Sequence, residues 1–142
     1  MGIVIRSKNC SIDLQSGGFI NLRTKIAELT NPEIHKHYEH LMDYLAYPID
    51  ERKEFFDMYN KQIEELDKKY DGKYSDILDF LYESDSSGNI PYETCISLWE
   101  VIKDYDDDII YGYISRPNCG RFRDFKKVVK DCIDTKTNLI WY

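Results

Sequence analysis

Apolar residues alternate with polar ones over only the first 14 residues of this chain. From Phe19 onward they recur at helical spacing, and this change of period fixes most of what the chain can fold into. Ile3 and Ile5 share one face of a short strand, and after a Lys8-Asn9 turn Cys10, Ile12 and Leu14 alternate with polar neighbours, which predicts a β-hairpin. Ser16-Gly17-Gly18 breaks the pattern, and Phe19, Leu22, Ile26 and Leu29 predict a first helix from about Phe19 to Leu29. Asn31-Pro32-Glu33 combines a capping amide, a proline and a first-turn acid, so a second helix starts near Pro32. Its apolar face is Ile34, Tyr38, Leu41 and Leu45, and it ends before Pro48. A third helix, from about Asp50 to Tyr70, carries Phe55, Tyr59, Ile63, Leu66 and Tyr70 in one seam and is closed by Asp71-Gly72.

A short helix over Ser75 to Tyr82 and a turn over Ser84 to Asn89 come next. Pro91 opens a fifth helix that buries Cys95, Leu98, Trp99, Ile102 and Tyr105, and Arg116-Pro117-Asn118 caps a sixth that buries Phe122, Phe125, Val129 and Cys132. Leu139-Ile140-Trp141-Tyr142 is apolar and branched enough for a third strand beside the hairpin. The expected fold is therefore α+β and mostly helical. Five to six helices pack with a small two- or three-stranded antiparallel sheet, in a single domain over residues 1–142 without repeats or linkers.

With 12 Tyr, 6 Phe and 2 Trp, the chain has enough large apolar surface to fold rather than remain disordered. No apolar run approaches the roughly 18 to 20 residues that span a bilayer, and the first one stops at Arg6, so a cytoplasmic location without membrane contact is expected. Cys10, Cys95, Cys119 and Cys132 form no Cys-x-x-Cys pair and read as reduced, packed thiols.

The net charge of -7 argues against free nucleic acid as a partner, yet the charge is unevenly placed. Residues 1–27 carry +3 (Arg6, Lys8, Arg23 and Lys25 against Asp13). Residues 116–130 carry +5 (Arg116, Arg121, Arg123, Lys126, Lys127 and Lys130 against Asp124). Residues 28–74 carry -5 and residues 75–108 carry -9. Two explanations compete. Pairing of the terminal strands brings both basic pieces to one side of the fold, or both neutralise the acidic middle through surface ion pairs.

The first explanation yields an anion pocket. Gly17 and Gly18 lead into a helix bearing Arg23, and Arg116, Arg121 and Arg123 surround a second helix start. Backbone N–H groups at helix starts and arginine forks both hold phosphate, while Tyr111 and Tyr113 offer stacking surfaces for a base. Other chemistries are less complete. Glu83 to Thr94 resembles an EF-hand loop, but Thr94 stands where a bidentate Glu is needed and Pro91 intrudes. Asp106-Asp107-Asp108 lacks identifiable partner acids, and His35, His37 and His40 on one straight helix cannot close a tetrahedral metal site. No Gly-x-Ser-x-Gly elbow and no recognised Cys/His or Ser/His signature occurs. Neither a metal, a cofactor nor a catalytic residue is therefore assigned.

Three stretches carry a resemblance: Ser-Gly-Gly-Phe-Ile-Asn-Leu-Arg-Thr-Lys-Ile-Ala from Ser16 to Ala27, the segment Ile63 to Tyr82, and Tyr-Asp-Asp-Asp-Ile-Ile-Tyr-Gly-Tyr from Tyr105 to Tyr113. They resemble small uncharacterised proteins of phages and mobile elements from Gram-positive gut bacteria. The resemblance implies a short, stand-alone cytoplasmic protein that acts by binding, either blocking a host defence component or sequestering a nucleotide signal. The resulting expectation is a non-enzymatic protein that sequesters a small anionic, nucleotide-like molecule such as a host immune signal. The alternatives are an acidic interaction module for a basic host defence protein and, third, a metal-dependent nucleotide hydrolase. Assembly into a homo-oligomer is left open.

Overall fold

The hairpin forms as the alternation requires. In a computed structural model, which describes residues 2–111 and 120–142, β1 (Gly2–Arg6) and β2 (Ser11–Gln15) pair antiparallel. Ile3 faces Leu14 and Ile5 faces Ile12, so the four side chains share the buried side of the sheet. The helices follow as α1 (Ser16–Thr30), α2 (Pro32–Glu39), α3 (Arg52–Lys69), α4 (Ser75–Tyr82), α5 (Tyr92–Ile102) and α6 (Phe122–Thr135). The Asn31 carboxamide accepts from the N–H groups of Glu33 and Ile34, the N-cap arrangement expected before Pro32. Arg121 is the N-cap residue of α6, and the expected Arg116-Pro117-Asn118 cap lies outside the described residues.

The sheet has four strands rather than two or three. β4 (Leu139–Trp141) pairs with β1 as expected, and β3 (Gly88–Ile90) adds to its other edge, giving the order β2-β1-β4-β3, antiparallel throughout. β3 falls partly inside the Ser84–Asn89 stretch, where turn-forming residues mask a three-residue strand with one apolar side chain, Ile90. Gly88 is needed for close approach, because a Cβ there would lie 2.0 Å from the Trp141 indole.

The second departure is in the Pro32–Pro48 helix. It is α-helical only to Glu39, and His40–Ala46 tightens into a 3₁₀ helix, followed by a 3₁₀ turn at Ile49–Glu51. In a 3₁₀ helix, residues three apart eclipse. Leu41, Tyr44 and Tyr47 therefore line up: Leu41 packs against the core, Tyr44 lies on Phe56 and Tyr47 on Phe55, with ring centroids 5.2 Å apart in both pairs. Leu45, expected to continue the face of Ile34 and Tyr38, is turned to solvent.

One hydrophobic core joins the sheet to α1, α4, α5 and α6. A cation sits within it. Arg23, fully buried, has its guanidinium carbon 4.3 Å from the centroid of Phe19, 5.1 Å from Trp141 and 5.5 Å from Phe80. Its Nη1 donates to Asp85 at 2.9 Å and its Nη2 to the Ser84 carbonyl at 3.4 Å, the same oxygen that accepts from the Trp141 indole N–H. Burial lowers the Arg23 pKa, opposed by Tyr38 and Asp85, and burial pushes the Tyr38 phenol up to about 12. Aromatic faces offset part of the desolvation of the guanidinium.

Asp85→Ala is expected to lower unfolding free energy by about 1–3 kcal/mol, the cost of leaving a buried cation without its carboxylate. Urea denaturation measures it, and an unchanged midpoint would show that the aromatic faces and the Ser84 carbonyl hold Arg23 unaided.

Candidate functional site

The amphipathic α6 carries basic residues on two different faces. Lys126 lies on the buried face with Phe122, Phe125 and Val129. Its ammonium donates to the carbonyls of Lys103 (3.1 Å) and Tyr105 (2.5 Å), just past the C-terminus of α5, and pairs with Asp107 at 2.8 Å. The Lys126 hydrogen bond holds the Asp107 carboxyl below its ordinary range. Arg123 pairs with Asp108 at 3.1 Å, and Arg121 approaches the same oxygen at 3.8 Å. Much of the Asp106-Asp107-Asp108 run is thereby folded back onto α6, as surface neutralisation requires.

On the other face Arg123, Lys127 and Lys130 are exposed at helical spacing. They line a cleft of about 420 Å³ together with Trp99 of α5 and Cys10. The Lys130 ammonium lies 5.7 Å from the Trp99 ring and 3.4 Å from Asp134. Lys127 has no ion-pair partner among the described residues. Asp131, also in the cleft wall, is saturated from the β1–β2 turn. It accepts from Ser7 Oγ at 2.5 Å, from the Asn9 N–H at 2.7 Å and from Asn9 Nδ2 at 3.0 Å. The Ser7 hydrogen bond, then those from Asn9, hold its carboxyl below the ordinary range. The acids of the wall are thus committed, Asp134 to Lys130 itself, and Lys127 is the cation of the wall left without an ion pair among the described residues.

The other residues expected at an anion pocket are dispersed. Gly17 is exposed with open space at its Cα, whereas Gly18 is covered, since a Cβ there would stand 1.8 Å from the Tyr111 carbonyl oxygen. Tyr111 donates its N–H to the Gly120 carbonyl and packs its ring on Phe122, and its neighbour Ile110 bridges to Arg121. Arg23 is the core cation held by Asp85, away from the cleft walls. Tyr113 and Arg116 lie outside the described residues. The two basic pieces meet at Tyr105: the Lys25 ammonium is 5.2 Å from its ring and Lys126 holds its carbonyl. Of the eight, Arg123 lines the cleft and Arg121 adjoins it through Asp108. Trp99, Lys127 and Lys130 were not singled out. Their signal was the charged stripe at 123, 127 and 130, opposite the apolar face of α6.

The three histidines take separate partners. His35 reaches Glu39 at 2.9 Å and His40 reaches Asp43 at 2.8 Å. His37 instead stacks on Tyr59 with centroids 4.0 Å apart, its Nδ1 2.7 Å from the Tyr82 hydroxyl and its Nε2 3.1 Å from Gln62 Oε1. Because Gln62 offers an oxygen, Nε2 carries the proton and Nδ1 accepts from Tyr82. Burial lowers the His37 pKa. Cys95 and Cys132 are free thiols buried where α5 meets α6, and the hydrogen bond that the Cys95 thiol donates to Cys132, together with burial, pushes its pKa up.

Gly18→Ala is expected to cost about 1–3 kcal/mol or more in urea denaturation, because backbone must yield to the new methyl. The histidine predicts a pH effect of defined sign. Unfolded, His37 takes a proton near its ordinary pKa of 6.5, whereas folded it resists, so the stability it contributes is lost as pH falls from about 6.5 toward its lower folded value. Between pH 7 and 5 the wild type should lose stability more steeply than His37→Gln, and equal slopes would refute this.

The chain matches no protein-family model, no curated protein and no solved structure, so its function must be read from the chemistry of its own surfaces.

Proposed function

We propose that this chain is a non-enzymatic binding protein that holds a small anionic, nucleotide-like molecule in the cleft between α5 and α6. The observation that supports it is an indole lining one cleft with a row of cations: Trp99 with Lys127, which has no ion-pair partner among the described residues, and with Arg123 and Lys130, whose pairings with Asp108 and Asp134 are solvent-exposed. A planar base stacks on an indole, while ammonium and guanidinium groups 3, 4 or 7 residues apart on one helix face reach successive phosphate oxygens. Arg121 extends the basic rim. The cleft's volume suits a mononucleotide or small dinucleotide rather than a polymer, in keeping with the chain's overall acidity. Sequestration of a host immune signal in the cytoplasm, by a protein of a phage or mobile element, is the setting that the sequence resemblance implies.

A panel of mono-, di- and cyclic nucleotides, with inorganic phosphate as control, tests this by thermal shift. A ligand that binds only the folded chain at 100 times its Kd stabilises it by about 2.7 kcal/mol. At least one nucleotide should raise Tm, the rise should be lost in Trp99→Ala and in Lys127→Ala/Lys130→Ala, and the nucleotide should be recovered chemically unchanged. A panel that shifts neither wild type nor Arg121→Ala/Arg123→Ala overturns the proposal.

A further inference from the structure

The 3₁₀ segment has a second consequence. Its period of three places Leu41, Tyr44 and Tyr47 toward α3 and leaves Met42 and Leu45 on the outside. Ile49, 82% exposed, follows them in the chain. None of the seven residues His40–Ala46 is buried. Large apolar side chains gathered in this way on one stretch of surface mark interaction sites in soluble proteins.

Charge decides what can cover this patch. Asp43, Asp50 and Glu51, within or next to this segment, are exposed, as are Glu39 just before it and Glu54 and Asp57 at the start of α3, with His35 against Glu39 and His40 against Asp43. Of the two Lys and Arg residues between positions 39 and 58, Arg52 is engaged with the Tyr47 carbonyl and the Tyr44 ring, which leaves Lys53. A two-fold contact between two copies would set this carboxylate rim against itself, which like-charge repulsion opposes. A lipid surface of anionic headgroups is opposed on the same ground.

We infer that the Met42–Ile49 surface docks a basic amphipathic segment of another protein, its apolar residues seated on Met42, Leu45 and Ile49 and its Lys or Arg residues on the neighbouring carboxylates. This surface is formed by different residues from the α5–α6 cleft, and the two can bind independently. Leucine side chains of a docked helix recur at i, i+3, i+4 and i+7, which matches a short apolar patch with a charged rim.

The test uses the whole chain and two synthetic 18-residue helical peptides with identical leucine positions, one with lysine and one with glutamate on the polar face, measured by fluorescence anisotropy at 150 mM salt. The lysine peptide should bind at least tenfold more tightly than the glutamate peptide. Leu45→Ser/Ile49→Ser, which changes no charge and removes only exposed side chains, should weaken it at least tenfold with Tm unchanged. Asp50→Lys/Glu54→Lys should do the same, whereas Asp104→Lys/Asp106→Lys should leave it intact. Equal binding by the two peptides, or full binding by Leu45→Ser/Ile49→Ser, overturns the inference. So does sedimentation showing wild-type dimers that this variant dissociates, since a second copy then covers the patch. Loss of nucleotide shifts in Trp99→Ala with peptide binding retained separates this inference from the proposed cleft ligand.

Discussion

A guanidinium in the middle of a hydrophobic core holds this fold in register. Arg23 projects from α1 among Phe19, Phe80 and Trp141, which come from α1, α4 and β4, and its outward nitrogens reach Asp85 and the Ser84 carbonyl in the segment between α4 and β3. Four parts of the chain are thus positioned by one side chain. An uncharged residue of similar volume would pack among the same rings but would not select where residues 84 and 85 lie. Trp141 donating to the same Ser84 carbonyl reinforces the choice and fixes the start of β3 beside β4. The ion pair adds less to stability than to specificity, since one of its members is largely solvated and the other is desolvated at a cost.

The same principle, a cation used as a structural tie, organises the opposite side of the molecule. Lys126 collects two carbonyls beyond α5 and the Asp107 carboxylate, which draws residues 103–108 across α6. Asp131 collects three donors from the β1–β2 turn. With these groups satisfied internally, Lys127 is left on the cleft side without an ion pair among the described residues. An acidic chain can therefore carry a local basic surface, because charges separated by more than a Debye length are screened from one another.

The helices and the hairpin were legible because their apolar periods are long or their boundaries are marked. Ser75–Tyr82 has the bounds read from sequence, and Asn31-Pro32 starts α2 as expected. Two elements were not legible. Gly88–Ile90 is a strand only because β4 offers it an edge, and His40–Ala46 tightens because Tyr44 and Tyr47 find aromatic partners on α3. Both are tertiary effects that override local pattern. The site was partly legible. Arg23, His37 and Lys126 each fall inside an apolar helical stripe, between Leu22 and Ile26, between Ile34 and Leu41, and between Phe125 and Val129. A polar residue in such a position is the mark of an internal tie rather than of a ligand contact, whereas Lys127 and Lys130 fall outside the stripe and face the cleft.

The place of β4 in the sheet has a kinetic meaning. It lies between β1 and β3, and Tyr142 beyond it exchanges both backbone hydrogen bonds with Val4, so first and last strands in chain order are neighbours. Closing so long a loop is entropically unfavourable until the intervening helices have packed. During synthesis the hairpin edge of β1 and the isolated β3 stay unpaired until residues 139–142 have emerged, and Arg23 lacks its Trp141 face for the same interval. The sheet therefore cannot be completed before β4 is available, and until then the free edges of β1 and β3 are open to other chains.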